Sequence, residues 1–342
     1  MRSLTQYSHW TIVASIALSA ACTVSSEKKP ATATEGYVST SHSTRLFYRV
    51  AGTGRDTVIV LHGGPAGSLA EIYDGFAPLT EHHVVIFYDQ RGGGRSSLPA
   101  DTTRLAAVHQ IADLDEVRRH FGLKAFHLIG HSYGALLAAS YALAHPDAVA
   151  SMVLLAGTGP RKGNLFERMD SITTRRLGPV LATRLDEAFK RLADTGADAV
   201  QACRDLTRII LPARIANPDS ILPRLLPRFC NSDAASIRYS ILVSNPAIFN
   251  SYGNWDLRER LHTLQVPTLV VHGTDDVIPM DVAEEWVAAL PQAMLVRVPG
   301  AGHFLFEERP ELVWPAVEQF LAAPRQRLAP ASPAASAQRA PR

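Results

Sequence analysis

The residues in this chain best suited to covalent chemistry are Gly130-His131-Ser132-Tyr133-Gly134, a serine with glycine two positions to either side. A serine hydroxyl is a weak nucleophile unless a base takes its proton, and that base needs a third group to orient it. Two later segments offer such groups. His272-Gly273-Thr274-Asp275-Asp276-Val277-Ile278-Pro279 carries two neighbouring acids, and Pro299-Gly300-Ala301-Gly302-His303-Phe304 carries a histidine among small residues. His120, His127 and His145 read as packing or surface residues, and His131 is badly placed to take its own neighbour's proton. His303 is therefore the expected base, with Asp276 or Asp275 behind it. Attack on a carbonyl leaves an oxyanion, which needs backbone donors already in place. The amide of Tyr133, directly after the nucleophile, is one. The second is expected from His62-Gly63-Gly64, at Gly64 with Gly63 as the alternative, because bare backbone can approach a substrate closely.

These groups must be held by strand ends. Lys124 to Ile129 reads as a short buried strand, and Ala135 to His145 as a helix stopped by Pro146. A serine at such a strand-to-helix turn is the nucleophile-elbow pattern, whose glycines avoid collision where the turn is tight. Gly36 to Val50 alternates as a hairpin, and Thr57 to Leu61, Val84 to Tyr88 and Val149 to Leu155 are apolar runs typical of buried parallel strands. A helix is expected from the glycine turn to about Phe76, and a helical spacing runs from Ala106 to Phe121. The rhythm breaks after Gly157, and from about Pro160 to Arg260 only helical patterns and prolines occur. It resumes with strand Val266 to Val271, helix Val282 to Leu290, strand Met294 to Val298 and helix Pro310 to Leu321. Strands alternating with helices predict an α/β fold with a doubly wound, mostly parallel sheet and an all-helical insertion.

A chain of 342 residues with a formal net charge of +2 has room for one large domain plus an insertion, and offers no basic surface for nucleic acid. Arg2, the apolar run Trp10 to Ala21 and the small residues before Cys22 read as an export signal, too short to span a bilayer. Leu18-Ser19-Ala20-Ala21-Cys22 resembles a bacterial lipoprotein signal, although Ser19 stands where leucine is usual. That implies lipid attachment at Cys22, giving a membrane tether, with plain secretion or a retained anchor as the alternatives; each gives an exported, periplasmic or membrane-anchored protein. Cys203 and Cys230 remain as an even pair, able to form a disulfide in an oxidising compartment. The expected division is signal 1–22, flexible tether 23–35, core 36–158 and 261–322, helical insertion 159–260, and a disordered Ala/Pro/Ser/Arg-rich tail 323–342. No H-E-x-x-H, paired C-x-x-C or phosphate loop occurs, so no metal or cofactor is expected.

The chain order Ser132, acid, His303 resembles that of the α/β-hydrolase superfamily over about Gly36 to Leu321. The superfamily spacing, with the acid three residues after Gly273, selects Asp276 over Asp275. Within the superfamily, His62-Gly63-Gly64-Pro65 together with Asp89-Gln90-Arg91-Gly92-Gly93-Gly94-Arg95-Ser96 resembles the proline iminopeptidase family of serine aminopeptidases. The resemblance implies that the insertion is a cap over the site and that acidic cap groups hold a substrate's free amine. Glu167, Asp170, Asp186, Glu187 and Asp233 are the candidates. The sequence departs from that family at Ala66, where glycine is usual, and in its elbow, which is of a general hydrolase kind. Asp89 and Arg91 are expected to pair and brace the glycine turn. The implied activity is acyl transfer to water on a small-molecule or short-peptide substrate. An aminopeptidase leads, with a carboxylesterase, lactonase or C–C bond hydrolase as the alternative and an inactive binding module as a third reading.

Overall fold

The computed structural model describes residues 33–40 and 43–323. The signal, Cys22, most of the tether and the tail from 324 lie outside the described residues. The described strands are β1 (Thr34–Ser39), β2 (Arg45–Ala51), β3 (Thr57–Leu61), β4 (Val84–Tyr88), β5 (Phe126–His131), β6 (Val149–Leu155), β7 (Thr268–Gly273) and β8 (Ala293–Val298). They form one sheet in the order β1-β2-β4-β3-β5-β6-β7-β8. The β1–β2 and β2–β4 pairs are antiparallel, and every pair from β4 onward is parallel.

The central strands are apolar without alternation because both their faces are covered. In β3, Ile59 and Leu61 join the cluster under the helices Ala107–His120, Tyr133–Ala144 and Met280–Ala289. Val58 and Val60 point the other way, into the cluster under Pro310–Ala322. After β3 the chain goes to one side for β4 and to the other for β5. A crevice therefore opens beyond the ends of β3 and β5, the place where open α/β sheets bind ligands. Those ends carry His62-Gly63-Gly64 and Ser132.

Two local differences from expectation have physical reasons. The first strand begins at Thr34, inside the stretch expected to be tether, because its ladder with β2 runs on to Thr34 opposite Val50. The helix expected up to Phe76 is instead two 3-10 segments, Leu69–Glu71 and Tyr73–Glu81. Gly75 and Pro78 both weaken an α-helix there.

Between β6 and β7 the chain is helical. The longest helix, Leu165–Ala193, is broken at Gly178 (φ 70), just before Pro179. Ala199–Ile210, Pro218–Leu225, Ala234–Arg238 and Asn245–Ser251 follow. A small cluster of its own, including Leu177, Leu192, Leu206 and Ile209, holds this cap together. A disulfide joins Cys203 to Cys230, with Cα atoms 5.9 Å apart. Arginines fasten the cap to the core: Arg161 to Glu285 and Arg168 to Asp281, each at 2.6 Å, and Arg228 to the buried Glu307.

Candidate active site

Ser132 sits at φ 56, ψ −118, a conformation that L-residues rarely hold, directly after β5. The strain is held from both sides: its N–H donates to the Leu155 carbonyl, and its carbonyl accepts from Thr158 N–H, each at 2.9 Å. The flanking glycines are required by close backbone approach. A Cβ at Gly130 would run into the carbonyl of Gly134, and one at Gly134 into the carbonyl of Leu61 at the end of β3.

The structure brings Ser132, His303 and Asp276 together. The Ser132 hydroxyl donates to His303 Nε2 at 3.0 Å, and His303 Nδ1–H donates to Asp276 Oδ1 at 3.0 Å and Oδ2 at 3.1 Å. A carboxylate facing Nδ1 keeps the proton on that nitrogen and leaves Nε2 free to accept. Burial by itself would raise the pKa of Asp276, but His303, with help from the Ile278 amide, outweighs it and holds the carboxyl below its ordinary value. Asp275 turns away, and its carboxylate accepts from the Thr274 hydroxyl.

The histidine loop is pinned at several points. His303 N–H donates to the Arg214 carbonyl at 2.7 Å, and a Cβ on Gly302 would meet Ala216 N at 3.0 Å. His131 Nε2–H donates to the His303 carbonyl at 2.9 Å. Burial, reinforced by His303, pushes the His131 pKa down to about 3, so this ring is a neutral strut. Its role is invisible in sequence, because the partner lies at a sequence separation of 172.

Gly63 lies under the nucleophile, where a Cβ would come within 2.8 Å of Ser132 Cβ. Gly64, at φ 52, is exposed beside open space while His62, Gly63 and Pro65 are buried. Tyr133 opens its helix, so its N–H has no carbonyl a turn earlier to bond. The glycine turn is set by His62, whose Nδ1–H donates to the Gly63 carbonyl at 2.9 Å while Nε2 accepts Gln90 N–H at 3.1 Å. Burial pushes the His62 pKa down to about 4, which keeps that tautomer neutral.

The second motif braces the first, but not through the expected ion pair. Asp89 accepts from Leu69 N–H (2.6 Å) and Arg95 N–H (2.7 Å). Arg91 instead makes a two-pronged pair with Asp113 on the helix Ala107–His120, both side chains buried. The geometry explains why: Asp89 lies in the fold of its own loop and is saturated by backbone donors, whereas Arg91 points down the helix. Ala66 adopts φ 65, a left-handed geometry natural to glycine.

Of the expected cap carboxylates, Glu167, Asp170, Asp186, Glu187 and Asp233 are all exposed. Asp233 caps the helix Ala234–Arg238, accepting from Ala235 N–H and Ser236 N–H, each at 3.0 Å. Two groups not singled out in the sequence lie nearer the centre. Glu71 rests beneath the glycine turn, its Oε2 3.3 Å from where a Cβ on Gly67 would be. Burial, with some repulsion from Asp89, pushes its pKa up to about 8. Arg214 lies beside the histidine loop. The sequence reading marked neither Glu71 nor Arg214, because only burial against distant segments sets them apart from other charged residues.

Against known proteins, the family described as alpha/beta hydrolase fold matches residues 56–310. The proline iminopeptidase of Lactiplantibacillus plantarum is 29% identical over 286 residues, spanning 82% of this chain and 97% of that one. The proline iminopeptidase of Saccharolobus solfataricus is 28% identical over 280 residues, spanning 80% and 87%. In three dimensions the chain resembles 2-hydroxy-6-oxo-6-phenylhexa-2,4-dienoate hydrolase from Rhodococcus, with a TM-score of 0.65, 20% identity, and coverage of 85% and 100%. At that identity the likeness concerns the fold.

Proposed function

This chain belongs to the alpha/beta hydrolase fold family, and on that premise we propose that it is a serine aminopeptidase of proline iminopeptidase type. The observation that carries this reading is the unbroken relay from Ser132 through His303 to Asp276, in a chain similar to proline iminopeptidases over four-fifths of its length. In this mechanism His303 Nε2 takes the Ser132 proton as Oγ attacks the scissile carbonyl, and Asp276 steadies the resulting imidazolium. The oxyanion is received by the amides of Tyr133 and Gly64. The imidazolium gives its proton to the departing amine, and water then releases the acyl group by the same route. Glu71, on the core side, is the carboxyl that receives the free amine. A cation arriving beside it draws off the proton that burial now retains.

The test compares prolyl 4-nitroanilide with its N-acetylated form. We expect the free amine to be favoured by about 100-fold or more in kcat/KM, as when a buried polar partner is left unpaired. Equal turnover of the two would defeat the aminopeptidase reading. The second reading, a carboxylesterase, lactonase or C–C bond hydrolase using the same three residues, draws support from the five exposed cap carboxylates. Better turnover of neutral esters than of any free-amine amide would favour it.

We also place the protein outside the cytoplasm, tethered through Cys22. The Cys203–Cys230 disulfide supports the location, since such bonds persist in oxidising compartments. Fractionation of the native host tests it: a membrane-bound fraction released by Cys22→Ser supports the tether, and cytosolic protein would remove both proposals.

A further inference from the structure

Arg214 ends the turn Pro212–Arg214, which leads from the cap helix Ala199–Ile210 back over the sheet edge. Its backbone is clamped on both sides. The Arg214 carbonyl accepts His303 N–H at 2.7 Å, Arg176 donates to the Ala213 carbonyl at 2.9 Å, and Ala216 N–H donates to Glu308 at 2.7 Å. Leu211, Ala213 and Ile215 around it are buried in apolar clusters, so a guanidinium is the exception in this segment.

That guanidinium is not neutralised by the protein. Its Nε is buried with no hydrogen-bond partner, and among the described residues no carboxylate forms an ion pair with it. The acids whose charge it feels are Asp276, Asp170 and Glu71. Asp276 is committed to His303, Asp170 is an exposed cap residue, and Glu71 holds its proton at neutral pH. A part-buried cation whose Nε is shut away from water and which pairs with no carboxylate is costly to the fold, and such groups mark functional sites. Its carbonyl holds the loop that carries His303, and its charge reaches both Asp276, at one end of the relay, and Glu71, under the glycine turn, so it stands close to the catalytic groups.

We propose that Arg214 is the anchor for a substrate carboxylate, so that the enzyme acts on small acids in preference to neutral amides and esters. A guanidinium takes a carboxylate in a two-pronged, geometrically selective pair. With the amine at Glu71 and the carboxylate at Arg214, the fitting peptide is a dipeptide, whose free C-terminus lies one residue beyond the scissile bond. The peptide form of this assignment rests on the aminopeptidase reading; the carboxylate anchor itself does not.

The experiment therefore uses two substrate pairs. The peptide pair is prolylglycine against prolylglycinamide, and the ester pair is mono-4-nitrophenyl glutarate against 4-nitrophenyl butyrate. Wild-type enzyme should favour the charged member by about 10-fold or more in kcat/KM. Arg214→Gln should lower kcat/KM for the charged member at least about tenfold more than for the neutral one, and Arg214→Lys should restore part of the difference. Should the variants misfold, inhibition of the wild type decides: glutarate competes with substrate and glutaramide does not. A charge preference in the ester pair without any peptide cleavage would end the aminopeptidase reading and leave the anchor standing. Equal turnover within both pairs, or equal inhibition by glutarate and glutaramide, would overturn the anchor.

Discussion

At the sheet edge, Ser132 and Asp276 follow β5 and β7, each paired on both sides, and His303 sits on the loop after the outermost strand β8, held there by the Arg214 carbonyl and by His131, over a continuous apolar core. The cap above them has a thin cluster of its own, tied internally by one disulfide, and rests on the core through arginine–carboxylate pairs. The edge is thus rigid by burial, and the cap is held by staples. A nucleophile and base must keep sub-ångström geometry, which close packing provides. A cover that admits and releases substrate suits contacts that are individually weak, as exposed ion pairs are. Arg168–Asp281 and Arg161–Glu285 are of that kind, while Arg91–Asp113 belongs to the buried core.

The largest expected effect falls at the edge. Ser132→Ala should lower kcat by about 10⁴-fold or more while leaving the thermal midpoint near wild type, and should abolish fluorophosphonate labelling. Retention of labelling in that variant would place the nucleophile elsewhere. Next comes the buried pair: Asp113→Ala leaves Arg91 unpaired in the core and should cost about 3–5 kcal/mol in denaturant unfolding. A loss below 1 kcal/mol would put the core's ion pair in the same class as the cap's.

Cys203→Ser with Cys230→Ser frees a 27-residue separation in the cap. It should cost about 3–4 kcal/mol by the loop-closure argument. Hydrogen exchange should rise in Ala199–Ile210 and not in β3 or β5. Equal loosening of both regions would contradict the division drawn above.

The smallest effect is on acidification. His62 and His131 have folded pKa values pushed down to about 4 and about 3, against an ordinary 6.5. The unfolded chain therefore binds protons that the folded edge refuses, and stability present above 6.5 is lost as pH falls toward those values. By pH 5.5 the cost is about 1.4 kcal/mol for each histidine, rising by about as much again for each further pH unit until the folded pKa is reached. Glu71 acts in the opposite sense. Its pKa is raised from 4.5 to about 8, so its contribution is lost as pH rises through that range. His131→Phe should flatten the acid limb, and an unchanged limb would show that the His131 ring does not control it.

Much of the edge was legible in the sequence because it is written locally. A strand buried on both faces must be apolar throughout, so β3, β4, β5 and β6 stood out as runs. The serine turn and the glycine turn each need small residues at set positions. The cap was legible as helical and as carrying one cysteine pair, while its ion pairs to the core were not, since they join residues far apart in the chain.

What the amino-acid order determined by itself is the alternation of strands and helices, the strained serine between its glycines, and the sequence positions from which a base and an acid could come. Tertiary structure alone decided that Arg91 reaches Asp113 rather than Asp89, that Glu71 lies under the glycine turn, and that the Arg214 carbonyl holds the histidine loop. The reason is physical: a residue's period and turn preference act over a few neighbours. Its burial, charge state and partners depend on which distant segments the packing of the sheet brings against it.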